Sequence, residues 1–286
     1  MINKKTKNWS TSTKYLMILI LTVLVVRVFL YQPFYIPSGS MKPNLLEGDR
    51  IVVSKYSYGY GRYIATGLFF GTIDLNTKSR LLGSTPKRGD IIVFRSANTD
   101  DEKFYIKRLI AFPGETVKLM NSIVYINGKA VYRYDTGENY TKCNSKDSTE
   151  QQICRVFEET IFTNSNTYLK DHNNSHFKPN DPSDQKHSEN DNSEKTKQYA
   201  TLDAQINFGI NFPSTTHTYV VPKGHYFFLG DNRDHSFDSR YDSGVGIIPE
   251  EFVIGKALFI YWNGDIPFFE SLSNLFTGSN RFLEML

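Results

Sequence analysis

The longest apolar run lies near the start of the chain. Tyr15 to Val26 is apolar except for Thr22; Arg27 interrupts it, and Val28-Phe29-Leu30-Tyr31 resumes. A helix over Tyr15–Tyr31 would span roughly 25 Å, slightly short of a bilayer's hydrocarbon core. Arg27 lies where a long side chain can reach the headgroups, and Tyr31, Phe34 and Tyr35 suit a membrane interface. Lys4, Lys5, Lys7 and Lys14 precede the run, with no acid among them. A cleavable signal sequence opens the same way, but the bulky residues Val28 through Ile36 offer no small-x-small cleavage site. We therefore expect an uncleaved anchor over residues 15–31. The basic flank, residues 1–14, places the N-terminus in the cytoplasm.

After Asp49 the pattern changes to short apolar strands punctuated by turns. Asp49 to Val53, Ile91 to Phe94, Phe104 to Ile110, Tyr219 to Val221, Tyr226 to Leu229 and Ala257 to Trp262 each read as a strand. Ile123 to Lys129 reads as a hairpin on an Asn-Gly turn. Helical periodicity is scarce beyond the anchor, so the fold class expected is mainly β. It divides into a β-rich core, 32–127 and 219–262, and an inserted, smaller β subdomain, 128–218. A tail, 263–286, either packs or rests on the membrane through Phe268-Phe269 and Leu275-Phe276. Within the insertion, about 164–198 is dense in Asn, Ser, Asp, Lys and His, with too few large apolar side chains to offset its ordering entropy. We read it as a flexible segment.

Composition narrows the function classes. A net charge of +3 and no focused basic stripe argue against a nucleic-acid partner. Phe and Tyr number 21 and 18, a bias that suits strands and membrane interfaces. Cys143 and Cys154 form either a disulfide or two free thiols. His172 and His176 have a metal-ligand spacing but no fixed scaffold, and neither a metal nor another cofactor is expected.

Three segments carry candidate chemistry. Pro37-Ser38-Gly39-Ser40-Met41-Lys42-Pro43, directly after the anchor, is a tight turn able to present a hydroxyl and backbone N–H groups. Alone, it also reads as a plain linker. In Tyr105-Ile106-Lys107-Arg108-Leu109, strand alternation sends Lys107 and Arg108 to opposite faces. Lys107 shares its face with Tyr105 and Leu109, where lost solvation disfavours the ammonium. To act as a base at pH 7, its pKa must fall by roughly three from about 10.4, at about 4 kcal/mol. The third segment, Gly230 to Arg240, packs Asp231, Asp238, Arg240, Ser236 and Ser239 behind an apolar strand.

Together these segments resemble the signature boxes of type I signal peptidases, the membrane-bound leader peptidases of bacteria. Ile36 to Asp49 is similar to the nucleophile box, Arg88 to Phe94 to the following strand box, Tyr105 to Glu115 to the lysine box, and Gly230 to Arg240 to the acidic-serine box. They occur in family order behind an anchor in the family position. The match covers about 30–130 and 219–262, and Asn44 departs from the threonine usual after the proline. The resemblance implies Ser40 as nucleophile and Lys107 as general base. It implies that the Ser38 hydroxyl and Ser40 N–H form the oxyanion hole, and that Ser236 orients the lysine. Asp231, Arg108, Asp238 and Arg240 would be structural ion pairs; Ile36, Met41, Leu45 and Tyr105 would line shallow pockets for small side chains. The implied partners are secretory preproteins and membrane lipid, with the enzyme working as a monomer near the export machinery. The implied location is the bacterial plasma (inner) membrane, single-pass, with the catalytic domain on the periplasmic or extracellular side.

Competing readings remain open at this point. They are a Ser-His-Asp hydrolase using His235, a Ser-x-x-Lys enzyme built on Ser84 and Lys87, a non-enzymatic export factor, and a self-cleaving Ser/Lys repressor. Pro86 and Gly83 deny the second the helix it needs, and the last fits poorly with an anchor.

Overall fold

The computed structural model describes residues 11–68, 71–74, 80–96, 103–144, 152–162, 196–204, 214–241, 245–264 and 281–286. Helix α1 (Thr11–Val25) runs on through a π-helical turn, Val26–Leu30. These 20 residues, about 30 Å of helix, are long and apolar enough to cross a membrane, and none of their apolar window is buried against protein. The helix starts before Tyr15 and stops at Leu30, because Tyr31 pairs with Ser54 and is drawn into a sheet.

The strands in chain order are β1 (Tyr31–Tyr35), β2 (Asp49–Ser54), β3 (Tyr63–Leu68), β4 (Gly71–Asp74), β5 (Ile91–Arg95) and β6 (Phe104–Ala111). Next come β7 (Thr116–Met120), β8 (Ile123–Ile126), β9 (Lys129–Ala130), β10 (Tyr132–Thr141), β11 (Ile153–Phe162) and β12 (Thr196–Ala204). The last are β13 (Tyr219–Val220), β14 (His225–Leu229), β15 (Ile248–Pro249), β16 (Val253–Asn263) and β17 (Glu284–Met285). The largest sheet has the order β1-β2-β16-β5-β6-β14-β15, with β17 also on β16. Pro33 is tolerated in β1 because that strand is an edge. Smaller sheets follow, β10-β11-β12, β13-β7-β8-β9 and β3-β4. The mainly β expectation holds.

β5 explains itself: Ile91, Ile92, Val93 and Phe94 are all buried because both faces of the sheet are covered. Ile91 and Val93 join Ile36, Met41, Leu45, Ile51 and Val53 in one core, while Ile92 and Phe94 join Leu109, Tyr226 and Phe228 in another. The hairpin β8–β9 turns on Asn127 and Gly128, both at positive φ, as a two-residue Asn-Gly loop requires.

The expected domain boundary at 128 cuts through that hairpin. Strands of the insertion also contribute to the main core. Ile161 of β11 and Tyr199 of β12 share a core with Ile110, Val117, Val124, Phe227 and Leu229. Cys143 and Cys154 are joined by a disulfide over a small cluster with Leu202. Of the segment expected to be flexible, residues 164–195, with His172 and His176, lie outside the described residues, while Thr196 already begins β12. Phe268-Phe269 and Leu275-Phe276 also lie outside them.

Candidate active site

The loop carrying Ser40 leaves β1 and is closed at its neck by two backbone bonds. The Ile36 N–H donates to the Asp49 carbonyl (2.9 Å) and the Gly48 N–H to the Ile36 carbonyl (3.0 Å). Inside the neck, Ser38 is extended and Gly39–Met41 form a single 3-10 turn. Met41 and Leu45 sink into the core and fix the turn's orientation. They were expected to line a substrate pocket, but both have no exposed surface and Ile36 has almost none. Their apolar side chains gain more from the core than an open pocket wall provides. Tyr105 keeps partial exposure, its ring stacked on Phe94 across the strand pair.

Ser40 and Lys107, 67 residues apart, meet here: Lys107 Nζ donates to Ser40 Oγ at 2.6 Å and to the Ile106 carbonyl at 2.9 Å. Ser38 Oγ reaches Ser40 Oγ at 3.5 Å. Burial pushes the Lys107 amine down from 10.5 to about 8, although the Asp238 and Asp231 carboxylates pull it back up. A buried, partly neutral amine against a serine hydroxyl is a nucleophile–base pair in geometry and in proton affinity.

Around this pair the charges are matched. Arg108 grips Asp231 with two bonds, 2.7 and 2.6 Å, and its guanidinium lies 4.0 Å from the Tyr199 ring centre. Arg240 holds Asp238 at 2.8 and 3.0 Å, and the Gly230 N–H donates to Asp238 at 2.9 Å. Burial raises the Asp238 carboxyl; the Arg240 charge overcomes this and leaves it below the usual range. Two further buried couples lie elsewhere in the fold, Arg233 with Glu159 at 2.5 Å and Arg88 with Glu115 at 2.6 Å. Asn44 uses its amide to reach Asp231 (2.8 Å) and the Ala200 carbonyl (2.7 Å), so the departure from threonine is a tie between the turn and the acidic segment.

Ser236 is fully buried beneath Gly230. Its hydroxyl helps keep Asp238 ionised, but among the described residues it makes no well-aligned hydrogen bond, to Lys107 or to any other group. A β-carbon at Gly230 would meet Ser236 Oγ at 2.1 Å and the Ser40 carbonyl oxygen at 2.6 Å. Gly230→Ala is therefore expected to push the nucleophile turn and Ser236 apart, cutting precursor cleavage at least tenfold and lowering the melting temperature. Wild-type cleavage by that variant would show that the close approach has no role.

Two residues that the motif reading left without a role hold Ser40 in place. The Asn232 N–H donates to the Ser40 carbonyl (3.1 Å), and its side-chain amide donates to the carbonyls of Gly39 (3.0 Å) and Cys143 (2.7 Å). Lys42 folds over Gly39 and donates to the carbonyls of Lys142 (3.0 Å) and Asn144 (2.7 Å). Three successive carbonyls beside the disulfide thus brace the turn. Both residues stand inside segments already singled out, but no spacing rule links them to partners this far along the chain.

The competing constellations do not assemble. His235 Nε2 bonds Gln152 Oε1 at 2.7 Å, and burial lowers its pKa. Ser84-x-x-Lys87 is not helical, and the Ser84 hydroxyl donates to the Ser57 carbonyl. His235 lies beside Cys143 and Cys154, whose sulfurs are engaged in the disulfide.

Residues 9–262 match the family described as signal peptidase, peptidase S26. A Rickettsia bellii protein named Signal peptidase I is 35% identical over 265 residues, 93% of this chain and 77% of its own. The protein of that name from Rickettsia typhi is 36% identical over 87% of this chain and 78% of its own. A crystal structure of a signal peptidase I from Enterococcus faecalis is 25% identical, covering 60% of this chain and 97% of that one, with a TM-score of 0.26. By its sequence, from the membrane-length helix through the acidic turn after β14, the chain belongs to the signal peptidase family, peptidase S26.

Proposed function

We propose that the chain is a membrane-anchored endopeptidase in which Ser40 is the nucleophile and Lys107 its general base. Removal of signal peptides is the family's activity. The carrying observation is the 2.6 Å contact between Lys107 Nζ and Ser40 Oγ in a site that lowers the lysine to about 8. The neutral amine takes the Ser40 proton as Oγ attacks the scissile carbonyl, then returns it to the leaving amine. The oxyanion is held by the Ser38 hydroxyl and the Ser40 N–H, the former supported by its 3.5 Å approach to Ser40 Oγ. Ser236 orients the amine once substrate has excluded water. Arg108–Asp231 and Arg240–Asp238 keep the floor rigid.

The precursor binds extended along the site edge, with small residues at the first and third positions before the cut. Tyr105 touches it directly, while Ile36, Met41 and Leu45 shape the wall from behind. Thr11–Leu30 spans the bacterial plasma membrane with its N-terminus in the cytoplasm, so the site faces the periplasmic or extracellular side. There Ser40, shortly after the span, meets precursors still held by their own signal segments.

The test is cleavage of a synthetic precursor by the purified full chain. Ser40→Ala should yield no product. The wild-type rate should rise about tenfold per pH unit below 8 and level off above it, because only the neutral amine accepts the proton. His235→Ala should cleave normally. An inactive His235→Ala protein, with a wild-type profile that turns below pH 6.5, where burial puts the imidazole, would sink the dyad.

A further inference from the structure

The disulfide and the nucleophile turn are joined by a short chain of contacts. Asn232 donates one amide hydrogen to the Cys143 carbonyl (2.7 Å) and the other to the Gly39 carbonyl (3.0 Å). Among the described residues its Oδ1 accepts no hydrogen bond, so these two donations alone orient the amide. The Gly39 carbonyl and the Ser40 N–H belong to one planar peptide unit. Whatever fixes that carbonyl therefore aims the Ser40 N–H, the oxyanion donor of the proposed mechanism. The turn's own Lys42 N–H shares the carbonyl at 3.1 Å. Asn232 supplies a hold that comes from outside the turn.

At the far end of this chain, Cys143 lies past the β10–β11 ladder, which ends where Thr141 pairs with Ile153. Lys142 has φ 63°, a left-handed conformation that is costly for a residue with a β-carbon. Beyond it the Cys143 N–H reaches the Gln152 carbonyl at a long 3.3 Å. The bond to Cys154 ties this stretch covalently to β11, over Leu202, whose N–H donates to the Asp231 carbonyl at 2.9 Å. The carbonyls of Lys142 and Asn144, on either side, hold the Lys42 amine. We propose that the Cys143–Cys154 bond is a positioning element for catalysis: it fixes the Cys143 carbonyl, through it Asn232, and through Asn232 the Ser40 N–H. The chain is made with two thiols, and the site is armed when the domain meets a disulfide donor in an oxidising compartment. In that exchange the thiols lose two protons and two electrons, and the donor's two sulfurs leave as thiols. Both cysteines are fully buried, so the bond, once made, is shielded from reductants. The proposal rests on the reading of Ser40 as nucleophile.

The experiment compares the full chain in detergent when oxidised, when reduced in denaturant with dithiothreitol and refolded without oxidant, and when then reoxidised with glutathione disulfide. Cleavage of the synthetic precursor is followed beside free thiols and near-ultraviolet circular dichroism. We expect the folded dithiol form to lose about tenfold in kcat, less than removal of an oxyanion donor because the Lys42 N–H remains. KM should change by less than about twofold, and kcat should return in step with the loss of thiols. In Asn232→Ala/Lys42→Met, already slowed when oxidised, reduction should cost less than about twofold more, because the route is cut. A folded dithiol form with the oxidised kcat overturns the proposal. So does an undiminished loss on reducing the double variant, which sends the effect by another route. Disappearance of the near-ultraviolet signal on reduction also overturns it, since the bond is then a requirement of folding. Cleavage by oxidised Ser40→Ala would instead overturn the nucleophile, a result separable from any of these.

Discussion

Lys107→Met should abolish precursor cleavage and at the same time make the protein harder to unfold near neutral pH. The two effects share one cause. The Lys107 amine is buried, and its pKa falls from 10.5 to about 8 mainly because burial disfavours the ammonium. Below pH 8 the folded protein carries a charge it solvates poorly, and the unfolded chain does not. That difference is roughly 3 kcal/mol against folding. The sign follows from linkage: with the folded pKa below the unfolded one, the penalty is full below 8, shrinks as pH rises through 8, and is gone above 10.5. Methionine has similar length and no charge. The variant in detergent should melt several degrees higher than wild type at pH 7, with the gap closing toward pH 10.5. Equal melting temperatures at pH 7, or a gap that does not change with pH, would show that Lys107 is not held as a destabilised cation.

Asp231→Ala should have the opposite effect on stability. Arg108 is buried and donates to both Asp231 oxygens; without them it keeps the Gly89 carbonyl at 2.7 Å and the Tyr199 ring, neither of which bears a full negative charge. Breaking a buried pair from one side costs about 3–5 kcal/mol, because the remaining ion stays uncompensated. Asn44 loses a partner in the same step, so the nucleophile turn loosens as well. The denaturant midpoint should drop sharply with little change in slope. Asp231→Asn, which keeps the shape and loses the charge, separates folding from chemistry. Asp231 is one of the charges that pull the Lys107 amine up, so its removal should move the rising limb of the rate–pH curve below 8. A limb left at the wild-type position would show that the two residues are not coupled.

Much of this was visible in the sequence wherever an element is local or apolar. Ile91 to Phe94 reads as a strand because both its faces are buried, and Ile123 to Lys129 as a hairpin because Asn127-Gly128 supplies two positive φ angles. The strands β10 to β12 were missed because their inward positions carry charge. Glu159 lies in the middle of β11 and is fully buried, made tolerable by Arg233 and Arg133, which arrive from other elements. Sequence periodicity scores such a strand as polar, since the compensation lies elsewhere in the chain. Likewise Ser40 and Lys107 could be named from their segments, whereas the brace formed by Lys42 and Asn232 depends on where residues 142–144 fold. Met41 and Leu45 likewise stand near the site in sequence, and their burial in the core, which anchors the turn, depends on contacts from other strands.

Four buried arginine–carboxylate couples among the described residues also constrain how the sequence can change over generations. Arg108–Asp231, Arg240–Asp238 and Arg88–Glu115 each leave a stranded ion if one codon mutates, and loss of Glu159 strands Arg233, whereas replacing both members by apolar residues can be neutral or better. Drift at these positions therefore has to pass through a poorly folded intermediate or arrive as a double change. These positions change in couples, whereas residues such as Tyr105, Leu81 and Leu82 that keep exposed surface can change singly.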